Sequence, residues 1–327
     1  MGEAVENQYT ESMCAKKLVL LSLILSLLLV GLEPVEARLN LPPGRTYNLE
    51  LQFAGQAVTV EVDGLKVSQA DLRAYVSDAA LAVGKIYGKI PVRRTVIKVE
   101  ATEGDSVGFA TSTYDDNEDC GLIEIAIGQN TSRATLDHSW TLTHEMLHLG
   151  FPIVERSKRW LAEGIATYEE PIGRMRMGML SPEEVWGDLV HYGPTGLPKA
   201  EDGGLNSSHS WGRTYWGGAL YCLLCDIEIR QKTGNKYGLE RALRGIASSG
   251  GTSRSDWNAA QALAAGDKAL GLDVLTKRYQ KMAFAPSSID LAVLWQQLGI
   301  KKTPFGIVFD NSAPLAKIRQ AIEAGND

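Results

Sequence analysis

Cysteine is scarce in this sequence, with four residues in 327. Cys14 lies in an N-terminal region that we expect to be removed, which leaves Cys120, Cys222 and Cys225. An odd number of cysteines cannot form a complete disulfide framework. The fold must therefore depend on a hydrophobic core, and 44% apolar residues are enough to build one in a chain of this length.

The sequence also lacks a second cysteine pair beside Cys222 and Cys225, whose spacing alone would suit a redox or metal site. The two residues belong to the apolar run Leu220–Cys225, which has helical character. We therefore interpret them as buried residues of a packed helix.

Basic residues are not in excess: 33 Lys and Arg stand against 39 Asp and Glu, for a formal net charge of -6. A protein that binds nucleic acid needs a basic face to neutralise phosphates. We expect no nucleic-acid partner.

Long apolar runs are limited to one N-terminal segment. Lys16 and Lys17 precede the mainly apolar residues 18–32, and the small residue Ala37 follows. This order is typical of a secretory signal peptide, and the run is shorter than the roughly 20 apolar residues of a spanning helix. We predict that residues 1–37 are a cleaved signal and that the protein acts outside the cytoplasm, either periplasmic or secreted; a membrane tether through the uncleaved apolar run is the alternative.

The first part of the mature chain has the patterns of a small α/β layer. Residues 45–62 alternate apolar and polar side chains around Gly55, which predicts a β-hairpin. Ser68, with Asp71 three residues on, resembles a capping box and predicts the start of a helix that lasts to Gly84. Three further strands are predicted, at 95–99, 107–111 and 122–127.

Helical patterns dominate from Thr131 onward, and strand patterns nearly vanish. We therefore predict an α+β protein with an α/β subdomain at 39–130 and a helical subdomain at 131–327. Residues 171–210 are rich in Gly and Pro and predict a long, partly ordered loop region that can border a cleft. Amphipathic helices are predicted at 290–298 and 314–322.

The segment His144-Glu145-Met146-Leu147-His148 carries the strongest chemical signal. Leu136, Trp140, His144 and His148 recur every four residues, so both imidazoles lie on one helix face and can converge on one zinc ion. Glu145 then lies beside the metal, where a carboxylate can take a proton from water during attack on a carbonyl. These residues predict a zinc-dependent peptidase.

A catalytic zinc needs a third protein ligand and an open position. Glu163 is our candidate, because the segment Trp160–Tyr168 reads as a second helix, stopped by Pro171, that can fold back on the first. A solvated helix charge is the alternative for Glu163.

The segment Trp160–Glu170 resembles the second zinc helix of the membrane alanyl aminopeptidases, and the whole arrangement is similar to the gluzincins, including the glycyl aminopeptidases and small peptidase MA-like proteins. The resemblance implies a thermolysin-like zincin catalytic domain with Zn²⁺ as cofactor and a peptide or protein as substrate. Tyr215-Trp216-Gly217-Gly218-Ala219 resembles the family element whose tyrosine stabilises the oxyanion, which makes Tyr215 the candidate for that role. Asp226 and Arg230, at i and i+4, resemble the glycyl aminopeptidase continuation.

Thermolysin-like enzymes carry an Asp four residues after the ligand Glu to orient an imidazole, and Thr167 occupies that position here. The group that orients the zinc imidazoles is therefore not identified by the sequence. His209, just before Tyr215, is a candidate second oxyanion partner, with a surface or structural histidine as the alternative.

Gly121 and Glu124 lie on the strand before the first zinc helix, where gluzincins carry the edge strand that binds substrate backbone. We predict that this strand pairs with a peptide, and Glu124 is a candidate anchor for a free substrate amine, as in the aminopeptidases. A solvent-facing strand charge is the alternative. The competing function for the whole protein is an exported binding protein that keeps a zincin fold without turnover.

Overall fold

The computed structural model describes residues 44–199, 201–208 and 210–325. The segment from Gly44 onward forms one compact unit. The signal-peptide and tether predictions, and that for His209, lie outside the described residues. In the part of the chain that is described, no helix is both long and apolar enough to cross a membrane.

Five strands form one mixed sheet with the order β1-β2-β3-β5-β4: β1 (Arg45–Phe53), β2 (Gln56–Leu65), β3 (Arg94–Thr102), β4 (Val107–Asp115) and β5 (Cys120–Gly128). The three inner strands are parallel, and β1 and β4 pair antiparallel with their single neighbours. The β1–β2 hairpin has the predicted position. Its two loop residues, Ala54 and Gly55, both have positive φ (47° and 84°), as tight hairpin turns require.

One sheet face is covered by the helix α1 (Gln69–Tyr87), and the side chains alternate accordingly. Ile123, Ile125 and Ile127 of β5 are buried at 2% exposure or less, whereas Glu124 between them is exposed. Ser68 caps α1 as predicted, by accepting a hydrogen bond from the Asp71 N–H at 3.1 Å.

Among the described residues, ten further α-helices follow the sheet: α2 (Arg133–His138), α3 (Thr141–His148), α4 (Trp160–Arg176), α5 (Pro182–Tyr192), α6 (Gly218–Thr233), α7 (Leu239–Ser248), α8 (Ala259–Leu270), α9 (Val274–Ala283), α10 (Leu291–Leu298) and α11 (Ala316–Ala324). The predicted terminal helices correspond to α10 and α11. A small hairpin, β6 (Ile300–Thr303) and β7 (Gly306–Phe309), lies between them and was not predicted.

Two sequence predictions in the middle of the chain were wrong. The second zinc helix does not stop at Pro171 but continues to Arg176, because Ile172 and Met175 beyond the proline are buried in the core. The predicted loop at 171–210 contains α5, which begins with a full capping box between Ser181 and Glu184.

The residues that recur every four positions, from Leu136 to His148, do not belong to one continuous helix but are divided between α2 and α3. The chain leaves helical geometry between α2 and α3, at Ser139. Tyr75 of α1 bridges the break: its hydroxyl lies 3.1 Å from Ser139 Oγ and accepts a hydrogen bond from the Leu142 N–H at 3.3 Å. An N–H at the start of α3 thus obtains a partner, and α1 fixes where the zinc helix begins.

A buried charge network joins α4, α6 and α7. Arg230 donates to Asp226 at 2.9 Å and to both oxygens of Glu240 at 3.2 Å, while the Tyr168 hydroxyl donates to Asp226 at 2.9 Å. Asp226 and Arg230, the i, i+4 pair noted in the sequence, thus form a buried ion pair within α6. Each charge has an opposite charge as partner, without which its burial would be costly. Cys222 and Cys225, on the same helix, are buried free thiols, in agreement with the packing interpretation.

Glu169 lies beside this network with 1% exposure, and its Oε1 has no hydrogen-bond partner in the described structure. Burial raises the pKa of its carboxyl to about 8, even though the charges of Arg176 and Arg230 act in the opposite direction. Other titratable groups that interact with it come from four helices: Tyr87 of α1, Tyr168 of α4, Asp226 and Cys222 of α6, and Glu240 of α7.

The raised pKa of Glu169 predicts that the stability of the folded protein depends on pH. Because its pKa is higher in the folded protein than the ordinary value of 4.5, the unfolded chain loses this proton first as pH rises. The free energy of unfolding should fall between about pH 4.5 and pH 8, by on the order of a few kcal/mol at most. Glu169→Gln should flatten that decline in urea titrations across this range, whereas Glu183→Gln, at an exposed position, should not; identical pH profiles for wild type and Glu169→Gln would refute the assignment.

Helices α4 and α6 cross in direct backbone contact at Gly164 and Gly218. A methyl group on Gly164 would overlap the backbone of Gly218, and one on Gly218 would overlap the Trp160 carbonyl. Glycine at both positions allows the approach that brings Glu163 next to the segment carrying Tyr215.

We expect Gly164→Ala to lower the free energy of unfolding by about 1–3 kcal/mol, because the helices must separate. Gly84→Ala is the matched control, since a methyl group there has no neighbour within 4 Å, and it should be neutral or stabilising by about 0.5–1 kcal/mol. Urea unfolding measures both. Equal stability of the two variants would contradict the close crossing.

Candidate metal centre

The structure brings together the three predicted metal ligands. His144 and His148 project from successive turns of α3, and Glu163 comes from the first turn of α4, which packs against it. One nitrogen from each imidazole and one oxygen of the carboxylate all lie within 4.8 Å of one another. We call these three residues the metal-ligand cluster.

The geometry and chemistry of the metal-ligand cluster fit zinc. Glu163 Oε2 lies 3.3 Å from His144 Nε2 and 3.6 Å from His148 Nε2. Two ligands of a tetrahedral zinc, each at about 2.0–2.1 Å from the ion, are separated by roughly 3.3–3.4 Å. Two imidazoles and one carboxylate also form a known donor set for catalytic zinc, in which the fourth position stays open.

The ligands are held in a partly buried environment that favours charge on Glu163. Burial alone would raise the pKa of this carboxyl, but the hydrogen bonds and charges of His144 and His148 outweigh it and lower the pKa well below its usual range. For His148, burial acts to lower the pKa, and the contacts with Glu163 and the charge of Glu145 overcome this and raise it. The carboxylate is therefore ionised, as a metal ligand must be.

Aromatic rings surround the first ligand. The His144 imidazole makes an edge-to-face contact with Trp140 at 5.1 Å between ring centroids, and the Tyr215 ring stacks on it at 6.2 Å. Thr167, at the position of the orienting Asp, has a buried Oγ1 without a hydrogen-bond partner among the described residues. Ring packing therefore contributes to the placement of the His144 imidazole, and the Thr167 hydroxyl does not orient it by a hydrogen bond.

Glu145 lies next to the metal-ligand cluster, close enough for its negative charge to raise the pKa of both His148 and Tyr215. Its Oε2 accepts a hydrogen bond of 2.8 Å from Ser112 Oγ of β4. Sequence reasoning missed Ser112. The predicted strand at 107–111 ends one residue before Ser112, whereas the observed strand β4 includes it, and a contact between residues 33 positions apart is not visible in the sequence.

Tyr215 lies in a π-helical turn, Arg213–Gly217, directly before α6. Such turns are rare and frequently occur at functional sites. Its ring also stacks on Trp211 at 5.5 Å, and its hydroxyl is hydrogen-bonded to Glu163. Burial raises the pKa of the Tyr215 hydroxyl, the negative charge of Glu163 adds to this, and Arg159 acts in the opposite direction. The hydroxyl is therefore a proton-bearing donor at neutral pH.

The prediction that the strand of Gly121 and Glu124 is an edge strand was wrong. This strand, β5, pairs with β3 on one side and β4 on the other, so its backbone has no open edge for a peptide. The edge strand is β4, because the chain first makes β3, then β4, and then places β5 between them.

The two residues themselves do not contribute to the centre in the predicted way. Glu124 is opposite Thr111 in the ladder, whereas Ser112 and Ile123 share the face that is turned towards α3. Glu124 therefore projects from the other sheet face. Gly121 packs against Leu149, where a larger side chain would clash.

The structure is similar to solved zinc metallopeptidases of the M1 class. An aminopeptidase N family protein from Idiomarina loihiensis matches with a TM-score of 0.55 at 13% identity, over 79% of this chain and 50% of its own. A mutant of a two-domain M1 zinc metallopeptidase bound to L-arginine matches with a TM-score of 0.50 at 13% identity, over 76% of this chain and 54% of its own. The sequence itself matches no family profile and no curated protein.

These neighbours define the class of fold, a mixed α/β architecture that is shared with M1 zinc metallopeptidases, and they confirm the resemblance predicted from the sequence. The chain spans about half the length of the solved structures it matches.

Proposed function

We propose that this protein is a zinc-dependent peptidase with a zincin catalytic domain of the gluzincin type. The observation that carries the proposal is the convergence of His144, His148 and Glu163 within 4.8 Å beside Glu145. The similarity of fold to an M1 zinc metallopeptidase and to an aminopeptidase N family protein supports the same class of reaction.

Glu145 and Tyr215 have separate roles in the proposed hydrolysis of an amide bond. When bound, zinc supplies a Lewis acid that lowers the pKa of water towards about 7. Glu145 takes the proton from the attacking water and delivers it to the leaving amine. Tyr215 keeps its proton and donates a hydrogen bond to the oxyanion as the carbonyl is attacked.

The open edge of β4 supports a role in holding the substrate. Among the described residues, β4 pairs only with β5, so its other side presents unpaired backbone groups. An extended peptide can add to such an edge, and the side chain of Ser112 on this strand reaches Glu145. A peptide on β4 would therefore lie beside the base.

The orientation of Glu124 bears on the choice between exopeptidase and endopeptidase action. An aminopeptidase needs an acidic anchor for the free amine, and the candidate named from the sequence faces away from the centre. Glu124 is therefore excluded as this anchor. Residues 16–37 support a site of action outside the cytoplasm, and isolation of the mature protein with its N-terminal sequence would test that placement.

The test is hydrolysis of a peptide library by the purified protein, before and after removal of metal and again after zinc is restored. We expect cleavage that is lost without metal and recovered with zinc, with mass spectrometry locating the cut bonds. The same library with acetylated N-termini separates the two modes of cleavage, because an endopeptidase cuts it equally well and an aminopeptidase does not cut it. Retained zinc without cleavage of any peptide would instead favour the exported binding protein.

A further inference from the structure

Ser112 makes a directed contact with the side chain that we assign as the base. Its Oγ lies 2.8 Å from Glu145 Oε2, and because an ionised carboxylate only accepts, the hydroxyl is the donor. Hydrogen bonds to a charged partner are roughly twice as strong as those between neutral groups. The contact therefore holds one carboxylate oxygen in a defined position.

The direction of Ser112 is fixed by the sheet. Its partner in the ladder is Ile123, which is completely buried, and Ala110 on the same face is opposite the buried Ile125. The Ser112 side chain must therefore point to the face on which α3 packs. Glu145 itself belongs to α3, so the contact joins two elements that fold from distant parts of the sequence.

A glutamate side chain has three rotatable bonds, and restricting them costs conformational entropy. A general base must nevertheless lie within hydrogen-bond reach of the proton it takes, and an error of about 1 Å can cost roughly a hundredfold in rate. A hydroxyl held by a strand can remove this freedom before substrate binds.

We propose that Ser112 is a positioning residue that holds the Glu145 carboxylate in its working orientation and couples it to the edge strand β4. The proposal rests on the proposed peptidase function for its effect on rate, but the orientation of Glu145 is a structural property. Movement of β4 when a peptide pairs with it would move Ser112 and the base together.

The test compares Ser112→Thr with Ser112→Val, two β-branched variants that suit a strand and differ mainly in the hydroxyl, together with Ser112→Ala. Steady-state kinetics should show kcat reduced about 10- to 100-fold in the Ala and Val variants, with KM and zinc content nearly unchanged. Ser112→Thr should restore most of kcat. Thr46→Val, which removes a hydroxyl–carboxylate bond of the same 2.8 Å length to Asp63 on the distant β1–β2 hairpin, is the control and should match wild type.

Crystal structures of the zinc-loaded variants give a second readout that does not need turnover. We expect one Glu145 conformer in wild type and Ser112→Thr, and displaced or multiple conformers in Ser112→Val. Unchanged Glu145 in all variants, or kcat of Ser112→Val equal to that of Ser112→Thr, would overturn the proposal. If wild type cleaves no peptide but Glu145 still moves in Ser112→Val, the peptidase function fails and the positioning role stands.

Discussion

Replacing Glu145 with Gln should lower kcat by roughly 10²- to 10⁴-fold while zinc stoichiometry stays unchanged. The amide can still accept the hydrogen bond from Ser112, so the packing around it is kept, but it cannot take a proton from water. The loss should therefore appear in kcat, with little change in KM. Peptide hydrolysis and elemental analysis of the same samples measure the two quantities.

Glu183→Gln is the matched control for this change, because Glu183 is an exposed residue in the first turn of α5. It should retain wild-type kcat. Turnover by Glu145→Gln at the wild-type rate would exclude Glu145 as the base. Loss of zinc in that variant would show instead that Glu145 is a metal ligand.

The second large effect concerns the third ligand. Glu163→Ala should weaken zinc binding by at least about a hundredfold, since a site with three protein ligands loses one donor and its only negative charge. Competition titration against a zinc chelator measures the dissociation constant.

Two comparisons separate the loss of a ligand from a general loss of stability. Glu183→Ala removes an exposed carboxylate and should bind zinc like wild type. Thermal unfolding of metal-free Glu163→Ala should resemble that of the metal-free parent to within a few degrees, because a change of about 1 kcal/mol moves Tm by only about 2–4 °C in a protein of this size. A zinc titration identical to wild type would place the third ligand elsewhere in the chain.

Local patterns in the sequence were sufficient to predict the features that are determined by residues close together along the chain. The i, i+4 spacing of His144 and His148, the cap at Ser68 and the β1–β2 hairpin are fixed by helix and strand periodicity. Glu163 was predicted from the second helical segment that follows the His144–His148 motif, and the structure brings it into the metal-ligand cluster.

The features that sequence reasoning missed depend on contacts between distant residues. Alternation shows which residues share a strand face but not the order of strands in the sheet, so β5 was mistaken for the edge and Glu124 for a residue at the centre. Pro171 was read as a helix stop because the burial of the following turn cannot be seen locally. Ser112 lies beside Glu145 only because β4 is the outermost strand and α3 packs against it.

The most direct test of the account is a crystal structure of the zinc-loaded protein with diffraction data collected on both sides of the zinc absorption edge. We expect one anomalous peak within about 2.0–2.2 Å of His144 Nε2, His148 Nε2 and a Glu163 carboxylate oxygen, with a fourth position open to solvent. A zinc peak at any other set of residues, or none at this cluster in zinc-saturated crystals, would contradict the metal centre and the peptidase function that depends on it.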